Sequence, residues 1–303
     1  DTAMGINLMN KYVWLVETIQ RAGEISLKEI QSKWLDSDLS EGVELSQRTF
    51  HKWRIATEEL FGICIDCQRT GGYNYYIANA EVLNEGGIRS WLLRTASLNQ
   101  QLSRSMSLNE RILLEDIPSS ETYLSDIIRA MKASRCIQVK YRRYTSASSR
   151  ISILEPYALK LFKQRWYLLA KASDMPYLLL YSLDRMEEVV LTETKFQLSP
   201  DFDAETFFED CYGTIIDASV GAERISIRVT SSQACYLKSL PLHHSQRLLS
   251  EDEEYSVFEL YLKPTYDFLQ ALLSYGSELE VIAPVSLRKQ MQEEVAAMMS
   301  HYR

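Results

Sequence analysis

Apolar residues at Leu8, Tyr12, Leu15, Val16 and Ile19 recur at helical spacing and predict a helix over Leu8–Ala22. Gly23 follows where a helix C-cap favours glycine. Ile25 predicts a short strand, and Ser26 an N-cap for a second helix, Leu27–Leu35. After the polar loop Asp36–Glu44, Ser46 caps a third helix running to about Phe61, with Phe50, Trp53, Thr57, Leu60 and Phe61 as its buried stripe. Beyond Gly62 the period changes to two. Ile63–Arg69 and Tyr73–Ile77 read as strands of a hairpin turning at Gly71-Gly72. Residues 81–119 read as a helical connector, carried by Val82, Leu83, Ile88, Trp91 and Leu92 and then by Ile112–Ile117, with Pro118 as a stop. The polar stretch Ser97–Leu108 within it reads as a mobile joint.

From Ser125 to Ser134 a helix leads into a strand at Ile137–Tyr144, where Lys140, Arg142 and Tyr144 alternate with Val139, Tyr141 and Arg143. Ser146–Ser149 is a turn before another strand, Ile151–Leu154. The stretch Glu155–Lys171 holds the clearest alternation. Tyr157, Leu159 and Leu161 alternate with Ala158, Lys160 and Phe162; Trp166, Leu168 and Ala170 alternate with Arg165, Tyr167 and Lys171. This predicts two half-buried strands joined at Phe162–Gln164, with a third ending in Asp184-Arg185. Trp166 and Leu168 belong to the core side, while cations and a phenol take the other. Further on, Phe202–Tyr212 reads as a mixed aromatic and acidic helix. Ile225–Val229 then reads as a strand, Ser232–Leu240 as a helix, and Arg247–Leu249 and Tyr255–Leu262 as strands around the acidic turn Glu251–Glu254. Thr265–Tyr275 is helical, Glu278–Ala283 a strand and Val285–Tyr302 a closing helix, a βαββαβα order that suggests a ferredoxin-like sandwich.

At 303 residues the chain has room for two or three domains, and its 46% hydrophobic and 24% charged residues are those of a soluble globular protein. No apolar run approaches the roughly 20 residues of a membrane-spanning helix, so a membrane partner is not expected. Five cysteines, an odd number, suit a reducing cytoplasm better than a disulfide framework. The chain begins at Asp1 rather than Met, so an upstream piece or tag is expected. The net charge of −8 is unevenly spread. Residues 120–200 hold 13 Lys and Arg against 8 Asp and Glu, whereas residues 201–303 hold 8 against 17. An anionic partner would therefore meet the chain in its middle, although a solvated cationic surface has the same composition.

Motifs for catalysis or cofactors do not emerge. Cys64 and Cys67 form a Cys-x-x-Cys without a second pair at zinc spacing, and on a strand their side chains diverge. His243-His244 lacks ligand partners at a suitable spacing, and Glu251–Glu254 lacks the alternating oxygens of a calcium loop. A glycine-rich phosphate loop and a nucleophile elbow are both missing. The expectation is no enzyme, no cofactor and no metal.

Three helices followed by a hairpin is the order of a winged helix-turn-helix, and residues 1–80 resemble the amino-terminal domain of such regulators. On the third helix Gln47 and Arg48 can make forked hydrogen bonds to base edges. His51 stands beside them, and Lys52, Arg54 and the wing residue Arg69 can hold phosphates of double-stranded DNA. A merely wet amphipathic face is the competing reading, favoured by Glu58, Glu59 and 11 acidic against 8 basic residues in this segment. Non-specific affinity is accordingly expected to be weak and salt-sensitive.

Glu155-Pro156-Tyr157-Ala158-Leu159, the triplet Trp166-Tyr167-Leu168 and Leu183-Asp184-Arg185-Met186 together resemble the WYL domain. That family comprises ligand-sensing modules of bacterial transcription regulators. The resemblance implies an Sm-like small β-barrel over residues 120–212, followed by a carboxy-terminal ferredoxin-like extension over 213–303. The whole is then an α+β chain with a winged helix-turn-helix, a connector over 81–119, a barrel and a sandwich. It also implies a basic and aromatic effector site, for which Lys140, Arg142, Lys160, Arg165, Tyr167 and Arg185 are the candidates. Arg165 and Tyr167 share a strand face, suited to clamping a phosphate and stacking a base. Arg185 has an alternative in an ion pair or a barrel-closing hydrogen bond. One departure from the family stands out: Leu178-Leu179-Leu180-Tyr181-Ser182 lacks the arginines often found there. A modest anionic effector, or a short single-stranded nucleic acid, is thus expected in a homodimeric regulator; the alternative is a sensor or adaptor that reads no DNA.

Overall fold

Helix α1 (Thr2–Ala22) ends where Gly23 takes a left-handed φ of 73° and donates its N–H to the Ile19 carbonyl at 3.0 Å. The structure is a computed structural model and describes residues 2–68, 72–83, 87–104, 111, 113, 121–146 and 148–302. It divides into two units, Asp1–Glu115 and Asp116–Arg303. Among the described residues no helix is long and apolar enough to cross a membrane.

In the first unit, strand β1 (Ile25–Ser26) runs into α2 (Leu27–Leu35). The junction is a capping box, with Ser26 Oγ accepting from the Glu29 N–H while the Glu29 carboxylate accepts from the Ser26 N–H at 2.9 Å. Helix α3 (Gln47–Phe61) starts at its expected cap, Ser46, and stops at Gly62, whose φ of 67° suits an αL cap. A side chain at Gly62 would also collide with Arg89. Strands β2 (Ile65–Gln68) and β3 (Asn74–Ile77) make the expected hairpin, and β1 joins it to give the antiparallel order β1-β3-β2. The core packs Leu15, Val16 and Ile19 of α1 against Ile30 and Trp34 of α2 and Phe50, Trp53 and Phe61 of α3. Leu60, assigned to the buried stripe by its spacing, is instead exposed.

Helix α4 (Ile88–Arg104) runs through residues 97–104 of the stretch expected to be a joint, the rest of which lies outside the described residues. Leu93 and Ala96 pack into the core, and the Ser97 hydroxyl bonds Glu17 of α1, so tertiary contacts hold a segment of modest helix propensity. Of the second connector segment, Ile112–Ile117, only residue 113 is described; the remainder lies outside the described residues.

The second unit opens with α5 (Leu124–Ala133), packed on a five-stranded antiparallel sheet. Its strands are β4 (Arg135–Tyr141), β5 (Arg150–Phe162), β6 (Arg165–Ala172), β7 (Leu178–Ser182) and β8 (Met186–Lys195), in the order β7-β6-β5-β4-β8. The order is open: β7 and β8 form opposite edges without a ladder between them among the described residues. The expected closed barrel is therefore corrected to an open sheet. Strand β4 stops short of Tyr144 because the Arg142 N–H leaves the ladder for the Arg185 carbonyl at 3.1 Å. The irregularity between Pro156 and Ala158 turns Tyr157 onto Phe196 and Phe202, away from the register of Leu159 and Leu161.

After the short α6 (Ala204–Phe208) come β9 (Glu223–Thr230), α7 (Ser231–Ser239), β10 (Arg247–Glu251), β11 (Tyr255–Leu262), α8 (Tyr266–Leu273), β12 (Leu279–Ala283) and α9 (Val285–Ser300). The antiparallel sheet order is β10-β11-β9-β12. Ile225, Ile227 and Val229 alternate as expected and meet Phe258, Leu260, Phe268 and Leu272 in a second core.

Candidate functional site

Capping by Ser46 fixes the first turn of α3 and thereby the direction of the residues that follow. Gln47, Arg48 and Lys52 are exposed, with Arg48 and Lys52 one turn apart. Half-buried His51 lies edge-on to Phe50 at 5.5 Å. Arg54 departs from this group. It is half-buried, 4.0 Å from Glu58, and its Nε is buried without a hydrogen-bond partner. Glu58 in turn accepts from the Ile65 N–H at 2.8 Å, so Arg54 is drawn toward the root of the hairpin. Arg69, the wing candidate, lies outside the described residues.

The six effector candidates fall into three neighbourhoods. On the first, Lys140 and Arg142 share one carboxylate, Glu187, with the Lys140 contact at 3.1 Å. A hydrogen bond from Ser149 and those from Lys140 and Arg142 pull the Glu187 carboxyl down to about 2. The second neighbourhood centres on Asp184, in a 3-10 turn at Leu183–Arg185. Arg165 Nη1 lies 3.5 Å from Asp184 Oδ2, Tyr144 Oη donates to the same oxygen at 3.4 Å, and Ser182 Oγ donates to Oδ1. Tyr167 pairs with Ser182 across the β6–β7 ladder, and burial pushes its phenol up. Arg185 lies over two rings, 5.2 Å from the centroid of Tyr141 and 4.8 Å from that of Tyr144.

Lys160 defines the third neighbourhood. It is the cross-strand neighbour of Tyr167, as parity requires, yet its ammonium donates to the Gly213 carbonyl at 2.7 Å and sits 4.2 Å from the Phe208 ring centroid. Burial lowers its pKa below the ordinary lysine value. The fold thus brings Arg165, Tyr167 and Arg185 around Asp184, pairs Lys140 with Arg142, and commits Lys160 to the segment leading into the C-terminal sheet.

Sequence reading missed Glu187, Asp184 and the tyrosines Tyr141 and Tyr144 as organisers of these cations. A signal for Glu187 exists in β8, where the apolar run Val189-Val190-Leu191 suits a strand and Val189 and Leu191 pair with Val139 and Ile137 of β4. Trp166 stands on the core side, half-buried against Leu168 and its neighbours. A Trp166→Ala variant should lose about 2–3 kcal/mol, less than full burial of a tryptophan implies. Denaturant unfolding checks this, and a variant with unchanged midpoint would take Trp166 out of the core.

Two family models match the chain: the WYL domain over residues 122–191 and the WCX domain over residues 221–299. Among solved structures, Proteasome accessory factor B/C (PafBC) of Arthrobacter aurescens is similar at 15% identity and a TM-score of 0.36. That match takes in 94% of this chain and 45% of the other, so this chain spans less than half the length of that one. A crystal structure of a CRISPR Cas-related protein is similar at 11% identity and a TM-score of 0.40, over 100% of this chain and 86% of that one. No curated protein matches the sequence. The chain thus carries a WYL domain followed by a WCX domain.

Proposed function

We propose that the chain is a cytoplasmic, homodimeric transcription regulator that reads double-stranded DNA through α3 and senses an anionic effector through its WYL domain. The observation that carries the DNA reading is the exposed row Gln47, Arg48 and Lys52 on the third helix of a unit whose three strands order as β1-β3-β2. The effector reading rests on the cations and aromatic rings that the WYL-domain sheet carries on and beside β4, such as Arg185 over Tyr141 and Tyr144. In this proposal the open five-stranded sheet is an Sm-like sheet left unclosed, and the β10-β11-β9-β12 order is that of a ferredoxin-like sandwich. The chain's role is binding and coupling rather than catalysis.

Linkage supplies the mechanism. An effector that prefers one arrangement of the chain by ~100-fold shifts the equilibrium by about 2.7 kcal/mol. Selection of bound sequences from a random duplex pool, followed by anisotropy titration at fixed salt, tests the DNA reading. Arg48→Ala should weaken the selected site by about 1–3 kcal/mol. Folding should change by less than roughly 0.5 kcal/mol, because the side chain is exposed. Failure to enrich any duplex would leave the adaptor reading, and normal affinity in folded Arg48→Ala would take that residue off the reading face.

A further inference from the structure

Where the β4–β5 and β6–β7 connections meet at one end of the five-stranded sheet, they enclose a cavity of about 740 Å³. Tyr141 and Tyr181 wall it, their rings edge-to-face at 5.3 Å and 81°, and both are buried. Arg143 and Arg150 stand on its lining with Ser152 and the exposed Ile151. By strand parity this is the core side of the sheet: Tyr141, Tyr181 and Ala172 belong to the core cluster, whereas Arg165 and Tyr167 alternate onto the other face. None of the six residues singled out for effector binding lines it.

The state of the cations separates this cavity from the opposite face. There Lys140, Arg142 and Arg165 each have a carboxylate, Lys160 is held by a carbonyl, and Arg185, without a carboxylate, is packed over the rings of Tyr141 and Tyr144. In the cavity Arg150 is paired with Asp174, but Arg143 makes no ion pair among the described residues. Burial pushes the Tyr181 phenol up, with the field of Arg143 opposing that shift and that of Asp174 adding to it. A cavity of about 780 Å³ beside α9 is apolar instead, lined by Met291, Val295 and Met298, and its Arg288 is paired with Glu280 at 2.7 Å.

We propose that this Tyr141–Tyr181 cavity is the effector seat, and that it takes a small phosphorylated ring compound of nucleotide size. The proposal rests on the effector-sensing reading and moves its site to the other side of the sheet. Arg143 supplies a planar fork for phosphate oxygens, the Ser152 hydroxyl a further donor, and the two tyrosines a ring-accepting wall. The volume falls within the roughly 300–1,000 Å³ of small-molecule sites. The cavity also reaches the Asp184 cluster through one side chain. Tyr141 accepts the Ser182 N–H at 3.2 Å, and its ring carries Arg185, so a ligand pressing on Tyr141 bears on the residues that hold Asp184.

Calorimetry on the full chain tests the assignment, using the four common nucleoside 5′-monophosphates, their nucleosides and inorganic phosphate. At least one monophosphate should bind about tenfold or more tightly than its nucleoside and than phosphate alone. Arg143→Ala should weaken it about tenfold, Arg143→Lys less, and Ser152→Trp, on the strand position paired with Val139, should block it by filling the cavity. Arg165→Ala should leave the affinity within about twofold, and thermal melts establish that each variant is folded. Absence of binding by all four monophosphates, or full affinity in Arg143→Ala and Ser152→Trp, overturns the proposal. Loss confined to Arg165→Ala overturns it too, while keeping an effector on the Asp184 face. Binding through Arg143 by a chain that selects no DNA sustains the cavity and removes only the regulator reading.

Discussion

Trp34→Ala should destabilise the first unit by about 3–5 kcal/mol, the range for truncating a buried tryptophan. Trp34 is 3% exposed and sits between two further indoles, 5.0 Å from Trp14 and 4.9 Å from Trp53, both edge-to-face. Its Nε1 donates to the Val43 carbonyl at 2.8 Å, tying the loop before α3 to α2. Three losses therefore coincide: apolar burial, two aromatic contacts worth about 0.5–1.5 kcal/mol each, and the bond that positions the Val43 carbonyl. Hydrogen exchange on the full chain should show faster opening of α1, α2 and α3 with the second unit unchanged. Trp34→Phe should recover part of the loss, since a ring remains without the N–H donor. Unaltered exchange in α3 of Trp34→Ala would mean that the three-tryptophan stack does not hold the helix. In the DNA reading, the same variant should lose duplex affinity although Trp34 is buried away from solvent.

Elements governed by local rules were legible in the sequence. Ser26, Ser46, Gly23 and Gly62 mark helix ends by capping chemistry, and the structure uses all four as caps. Alternation in Trp166–Ala170 and Ile225–Val229 likewise named the core side of each strand. Features set by distant partners were not legible. Residues 97–104 are helical because α1 supplies a packing surface, and Leu60 is exposed because the stripe runs through Phe61 instead. Strand β8 hid because its last four residues, Thr192–Lys195, are polar, and without it the carboxylate that gathers Lys140 and Arg142 could not be placed. Strand count alone also cannot tell an open sheet from a closed one, a matter of whether β7 reaches β8.

The candidate site divided along the same lines. Parity put Arg165 and Tyr167 together, and the ladder does pair Lys160 with Tyr167. A sequence shows cations but not what stands opposite them: Lys140 and Arg142 share Glu187, Arg165 meets Asp184, Lys160 takes a carbonyl, and Arg185 lies on two rings with its Nε buried and without a hydrogen-bond partner. Exposed ion pairs of this kind add little stability, so their weight lies in fixing where each guanidinium points. That redirects attention from the number of arginines to the ones left without a carboxylate.

Gly213→Ala should cost about 2–4 kcal/mol in the second unit, through overpacking and the hydrogen bonds it disturbs. A Cβ built there would lie 2.5 Å from Asp267 Oδ2 and 3.0 Å from Phe162 Cζ, so one neighbour must give way. Asp267 is poorly placed to do so. Its Oδ2 accepts from the Thr214 N–H at 2.8 Å and the Ile215 N–H at 3.1 Å, and its Oδ1 accepts from Thr265 Oγ1 at 2.7 Å. Phe162 is confined as well, edge-on to Tyr212, which itself packs on Phe268 of the C-terminal core. The Gly213 carbonyl is also the acceptor for Lys160, so the added methyl disturbs a lysine of the β5–β6 hairpin and a carboxylate at the start of α8 together. Hydrogen exchange should accordingly rise both in β5–β6 and in α8, a paired response that a local defect in the 208–215 segment would not produce. Lys160→Met separates the two effects: it removes the donor but adds no bulk, and should cost less than Gly213→Ala while loosening the hairpin side alone. Should Gly213→Ala melt and exchange like the parent, Asp267 and Phe162 have room to move, and the two sheets of this unit are not joined through that glycine.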